Sequence, residues 1–287
     1  MSMRLHLLLL VVASLAAIAL GACGDDAAVS EPGPPASPGA GLEHIHGLGV
    51  SGGTLFIATH TGLWTAPAGQ SKPRRVGSSQ QDIMGFSVID EGRFIGSGHP
   101  GPGQTDLPPS LGLIESRDGG RMWTSVSLQG EADFHALESA GDYVYGVNSA
   151  DGRMMASSDG GRSWEPRIPP AAVFGLTIDP RSSTHVVAST EQGVHSSLDA
   201  GETWRPLNLD LAGLLAWPAP ESLYLVGGDG SVQVSADGGR GWKSVGSIGG
   251  QPAAFIADGS DLYAALADAT VKRSTDGGRT WSVRAEP

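Results

Sequence analysis

The chain has 287 residues, of which 30 are acidic and 18 basic, for a formal net charge of −12. That balance, with no basic run, excludes nucleic acid and anionic lipid headgroups as electrostatic partners. A single cysteine excludes an internal disulfide framework, so the fold must be held by packing.

Residues 1–22 read as an export signal. Arg4 is their only charge, Leu7 to Leu20 is almost wholly apolar, and the run is too short for a stable membrane span. The phrase Leu20-Gly21-Ala22-Cys23 resembles a bacterial lipobox, which implies that Cys23 is acylated and becomes the mature N-terminus. The expected product is a lipoprotein anchored on the extracytoplasmic face of the cell membrane, each buried methylene adding about 0.8 kcal/mol. Cleavage removes one base and no acid, so the mature charge becomes 17 − 30 = −13. Residues 23–42 carry four prolines and three acids with hardly an aliphatic side chain, and are predicted to be a tether without a core.

From residue 43 to 287 one phrase organises the chain. Ser-x-Asp-x-Gly-x-x-Trp occurs five times, with its Asp at 118, 159, 199, 237 and 276, so the steps are 41, 40, 38 and 39 residues. That period, in a Gly-rich and β-forming sequence, predicts an array of small similar sheets. Each of six units opens on a strand centred on a small-then-apolar pair: Gly47-Leu48, Gly85-Phe86, Ala136-Leu137, Gly175-Leu176, Gly213-Leu214 and Ala254-Phe255. Second strands follow at 55–58, 93–95, 143–145, 185–187, 223–225 and 262–264. The third strand runs into the phrase, and the fourth leaves its Trp. Four short strands per unit predict an all-β, six-bladed β-propeller, a seventh blade requiring a hidden edge strand. The first unit lacks the phrase. Small residues are expected to line the narrow axis, Phe56 and the tyrosines to fill the inter-blade core, and Trp217-Pro218 to form a packed turn. The second unit inserts Gly98 to Ser110, whose interleaved prolines predict a shaped lid on the binding face.

The repeated phrase resembles the Asp-box (BNR) repeat of sialidases, sortilin and the photosystem II assembly propellers. That resemblance implies a structural role for Asp118, Asp159, Asp199, Asp237 and Asp276, on hairpins away from the substrate face. It also raises sialidase activity, which in that family uses three rim arginines, a Tyr nucleophile backed by Glu, and an Asp acid/base. Here Arg117, Arg121, Arg162, Arg240, Arg273 and Arg279 lie in or beside the boxes, and no Arg opens a first strand. The clamp that recognises a carboxylate bidentately is missing from the pattern, so sialidase activity is not expected. The phrases His-x-His-Gly-Leu at 44–48, Ala-Thr-His-x-Gly-Leu at 58–63 and Gly-His-Pro at 98–100 are similar to those of small actinobacterial lipoproteins labelled glycosyl-hydrolase-like. That label reflects fold, and fold does not establish activity.

In a propeller, first-strand starts and second-strand ends share one rim. Those positions hold His44, His46, Asp82, Met84, Glu131, Asp133 and His135, then His60 and His99. Five of the seven histidines beyond residue 22 therefore collect on one half of the rim, beside carboxylates. His185 and His195 read as strand residues only. His44 and His46, two apart in a strand, are expected to share a face. With His135 they form the candidate metal set, and Met84 in the same repeat column tilts the choice between zinc and copper toward copper. The five imidazoles are expected to converge in one pocket roofed by the loop 98–110. The expected function is binding of a metal, a small polar ligand or a partner protein at this rim. One alternative is a glycan hydrolase using two of Asp82, Glu131, Asp133 and Asp106, separated by about 5 to 9.5 Å. Another is an assembly factor that uses the rim for protein contact.

Overall fold

The computed structural model describes residues 41–287, and Cys23 with its lipobox lies outside them. The described residues are all-β: six four-stranded sheets form a six-bladed propeller, with no seventh blade among them. Every sheet is built from four strands consecutive in sequence, ordered as they occur along the chain. The first strands are Ile45–Ser51, Asp82–Asp90, Phe134–Ala140, Val173–Asp179, Gly213–Ala219 and Pro252–Asp258. Each touches the next, and the last touches the first, so they ring an axial channel.

The small residues of these strands have a different reason from the expected one. Gly85 and Gly175 face the neighbouring first strand, where a Cβ would stand 2.5 Å from the Phe134 carbonyl oxygen and 2.7 Å from that of Gly213. The channel itself is lined by larger side chains, including Leu48, Phe86, Leu215 and Phe255. Glycine lets blades close on one another; it does not widen or narrow the axis.

The core sits between blades. Phe56 and Phe94 meet edge to face at 4.7 Å, and Phe86 and Phe94 at 5.4 Å, packed with Leu63 and Ile83 between blades one and two. Each fully buried side chain of this size contributes about 1.5–3 kcal/mol. Tyr145 is buried between blades three and four, and its hydroxyl donates to the Ser183 carbonyl at 2.6 Å. Its environment pushes the phenol pKa up by burial, which suits a core residue and no nucleophile.

The repeated phrase is a hairpin held by its own polar side chains. In blade three, Ser157 Oγ donates to Asp159 Oδ1 at 2.8 Å and accepts from the Gly161 amide at 2.9 Å. Asp159 Oδ1 also accepts the amides of Arg162 and Ser163, both at 2.9 Å. Gly160 and Gly161 take φ of 75° and 83°, the left-handed region that glycine enters without strain. The Trp is half-buried in all five copies, less enclosed than its recurring offset suggested. Trp164, for example, packs on Phe134 at 4.9 Å and donates to the Gly161 carbonyl at 3.0 Å.

Blade one, which lacks the hairpin, has an outer strand of only Arg74–Arg75. The ring closes beside it without any exchange of strands. Arg284 of blade six donates to the carbonyls of Ala66, Pro67 and Gln70 at 2.6, 3.1 and 2.8 Å. The Glu286 amide adds a bond to the Ser71 carbonyl at 2.9 Å.

Candidate functional site

One tight turn, one close approach of backbone and one left-handed residue aim the rim histidines. His60 sits at the tip of a turn in which Thr59 Oγ1 donates to the Gly62 carbonyl at 2.9 Å and accepts the Thr61 amide at 3.1 Å. Gly62 must be glycine, with φ of 111° and the Ser79 carbonyl 2.7 Å from where a Cβ would lie. Blade four repeats this turn at Thr190 to Gly193, with Glu191 in the place of His60. His99 follows Gly98, whose φ of 143° brings the chain so close to Asp82 that a Cβ would overlap the Asp82 carbonyl oxygen. His44 has φ of 47° and precedes the first strand, which carries a bulge between Ile45 and Gly47. The simple alternation expected for His44 and His46 is therefore broken.

The rim residues fall into two adjoining groups, and one member of each, His46 and His135, lines the mouth of a single cavity. His46, His60 and Asp82 each offer a ligand atom within 4.8 Å of the others, and so do His99, Asp133 and His135. The predicted trio of His44, His46 and His135 is not such a group. His44 stacks edge to face on His60 at 5.0 Å, and the His46 ring meets the same His60 ring at 4.3 Å. In the first group His60 Nδ1 bonds Asp82 Oδ2 at 2.7 Å. His46 Nε2 and Asp82 Oδ1 lie 3.9 Å apart, and both are buried without a hydrogen-bond partner. Burial, reinforced by the neighbouring His60, brings the His46 pKa down to about 4, with Asp82 opposing. Burial thus favours a neutral imidazole at His46, which carries one N–H and one lone pair.

In the second group Asp133 Oδ2 accepts from His135 Nε2 at 2.9 Å and from Ser149 Oγ at 2.6 Å, while His99 Nε2 stands 3.6 Å away. Asp133 Oδ1 is buried and unpartnered. Burial works to raise the Asp133 pKa, but the bonds from His135 and Ser149 outweigh it and hold the carboxyl low. The bond to Asp133 raises His135 in turn. A carboxyl held low is a poor general acid and suits only the base or nucleophile of a hydrolytic pair. Glu131 and Asp106 are exposed and belong to neither group. His99 Nδ1 donates to the Pro109 carbonyl at 2.8 Å, which leaves Nε2 toward Asp133.

The inserted loop is shaped, as expected, by its own turns: Gln104 and Leu107 amides donate to the Gly101 and Gln104 carbonyls at 3.1 and 3.2 Å. Its place is beside His99 and against Gln80, where Gly101 packs. It holds the site from one side and does not line the channel below it.

That channel opens at the rim as a cavity of about 270 Å³ lined by His46, Met84, His135 and Phe174. It continues into a wider section of about 670 Å³ toward the opposite face, walled in part by Asp179, Arg181 and Trp217. Glu138 lies on both sections, and burial pushes its pKa up to about 8. Trp217 is buried within the first strand of blade five, at a bulge between Ala216 and Ala219, and not in the packed turn expected. Sequence reasoning missed His185, which joins Asp179 Oδ2 at 2.8 Å through Nδ1 and Ser196 Oγ at 3.0 Å through Nε2. His185 and Ser196 stand off the channel wall, and His185 packs edge to face on Trp217 at 5.2 Å. The box arginines Arg121, Arg162, Arg240 and Arg279 each donate to the carbonyl of their own Asp, as hairpin clasps.

No family model matches the chain. The photosystem II assembly protein Ycf48 of Thermosynechococcus vestitus is 24% identical over 153 residues, which is 50% of this chain. The match spans only 44% of that relative's length. Among solved structures, a chain of a nidogen/laminin complex has a TM-score of 0.65 at 15% identity, covering 82% of this chain and 93% of that one. The GH74 xyloglucanase of Xanthomonas campestris has a TM-score of 0.57 at 18% identity, covering 85% of this chain and 45% of that one. Likeness at these identities is likeness of fold.

Proposed function

We propose that this chain is an extracytoplasmic, lipid-anchored propeller that binds a first-row transition-metal ion at its His-rich rim. The carrying observation is the pair His46 Nε2 and Asp82 Oδ1, buried, unpartnered and 3.9 Å apart. An unsatisfied buried polar atom costs about 1–3 kcal/mol, and a cation between two lone-pair donors removes that cost. Imidazole with carboxylate suits zinc or copper, and the Met84 thioether at the channel mouth adds a softer donor that favours copper. Zinc or copper should raise the melting temperature by linkage, worth about 2.7 kcal/mol at a hundredfold excess over Kd. The rise should vanish in a His46→Ala/His135→Ala double variant; a rise that persists there would move the metal elsewhere.

The anchor is part of the same proposal. Cys23→Ser should leave the chain unacylated and no longer partitioning into detergent, and partitioning like the wild type would remove the anchor. A second reading, protein binding on the same rim, draws on exposed apolar side chains of blades three and four. Beside the histidines, Ile168 is 84%, Leu209 63% and Phe174 48% exposed, at strand ends that share the rim. The partial likeness to an assembly protein agrees with it. Ile168→Glu/Leu209→Glu would then abolish a protein complex without altering metal uptake.

A further inference from the structure

Resting on that metal reading, we propose that the rim is a two-ion centre. His46, His60 and Asp82 hold one divalent ion, His99, His135 and Asp133 hold its neighbour, and an oxyanion of the phosphate or carboxylate type is shared between them.

Three observations carry this beyond a single site. Each trio is complete by itself, with its ligand atoms within 4.8 Å of one another. Each carboxylate has one oxygen engaged by histidine and the other buried and unpartnered, Asp82 Oδ1 in one group and Asp133 Oδ1 in the other. Asp82 and His99 are direct partners across the first two strands of blade two, so the groups adjoin on one sheet end, where paired Cα atoms lie only about 4.5–5.5 Å apart.

The second group also shows the support that metal ligands need. His99 is fixed through Nδ1 by the Pro109 carbonyl, the outer bond that sets ring orientation and tautomer at metal sites. The centre is open from above: the side chains of His60, His99 and His135 are 41%, 41% and 45% exposed. Three protein ligands per ion leave positions free for an outside ligand. Its sign follows from charge. Two divalent ions bring four positive charges against two from Asp82 and Asp133, so the loaded centre is a cationic spot on a chain of net charge −12. An anion that bridges two ions meets that excess, as in two-metal sites generally.

The test uses the full chain in detergent, stripped with chelator and titrated with Zn²⁺, with bound metal counted by mass spectrometry and calorimetry. Two ions per chain are expected in the wild type, and one in each of His60→Gln and His99→Gln, whose folding is checked by circular dichroism. Inorganic phosphate should bind the doubly loaded chain and neither variant. One ion in the wild type would overturn the two-ion centre while leaving the metal reading standing, whereas none would overturn that reading itself. Phosphate that ignores the doubly loaded protein would remove the shared oxyanion.

Discussion

Glu138 is set on the channel wall among Leu48, Phe86 and Leu215, and its carboxyl titrates near 8 because burial disfavours the charge. An unfolded Glu titrates near 4.3. Between about pH 4 and 8 the folded chain therefore holds a proton that the unfolded chain has released, so stability falls as pH rises through this window. Glu138→Gln should remove the slope. The side chain keeps some accessible surface in a channel roomy enough for water, so solvent screens part of the shift and the gain at pH 8 should be about 1–3 kcal/mol. Urea unfolding at pH 4 and pH 8 checks it: the variant should match its parent at pH 4 and exceed it at pH 8. Equal midpoints at pH 8 would mean that channel water solvates the carboxylate fully. The residue scale is also where the sequence was hardest to read. That His44, His46, His60, His99 and His135 gather on one rim follows from repeat alignment alone. Their division into two groups depends on bulges at Ile45/Gly47, Ile83/Gly85 and Val147/Asn148, each of which resets the side-chain alternation. A bulge carries no fixed sequence signature, so the partners Asp82 for His60 and Asp133 for His135 emerge only from the fold.

At the scale of elements, the strands were legible because each recurs five or six times in register. The loop from Gly98 to Ser110 recurs nowhere, and only its shaping was readable. Its contribution to the rim is one carbonyl, that of Pro109, to which His99 Nδ1 donates. Replacing residues 101–109 with a Gly/Ser linker should leave the blades intact and free the His99 ring. Outer bonds of this kind are worth about 10–100-fold in metal affinity, so zinc affinity at the second group should fall by about that factor, as read by competition with a chromophoric chelator. An unchanged affinity would make the loop a passive insertion. The five Asp hairpins behave differently. Hydrogen bonds from Thr203 and Thr280 bring Asp199 and Asp276 down to about 2. Their contribution is thus fully present above about pH 4 and is lost only as pH falls toward 2.

For the whole molecule, the closing seam is the meeting of blades six and one. There the core is shared by Ile45, Leu48 and Ile57 with Tyr263, Val271 and Ala285, and Arg284 fastens the rim of the join. Hydrogen bonds to a charged donor contribute about 1.5–3 kcal/mol each before entropy is counted. Arg284→Ala should cost about 2–4 kcal/mol in total and lower the urea midpoint; a loss below 0.5 kcal/mol would mean that the apolar seam closes the ring unaided. Because each blade is contiguous in sequence, no strand waits for a distant partner to complete its sheet. The six residues of the two rim groups lie between residues 46 and 135, on three blades that follow one another directly. A chain emerging from its N-terminus would thus present every one of those side chains before the second half of the ring had followed, and the last act of assembly would be to shut a circle around groups already gathered.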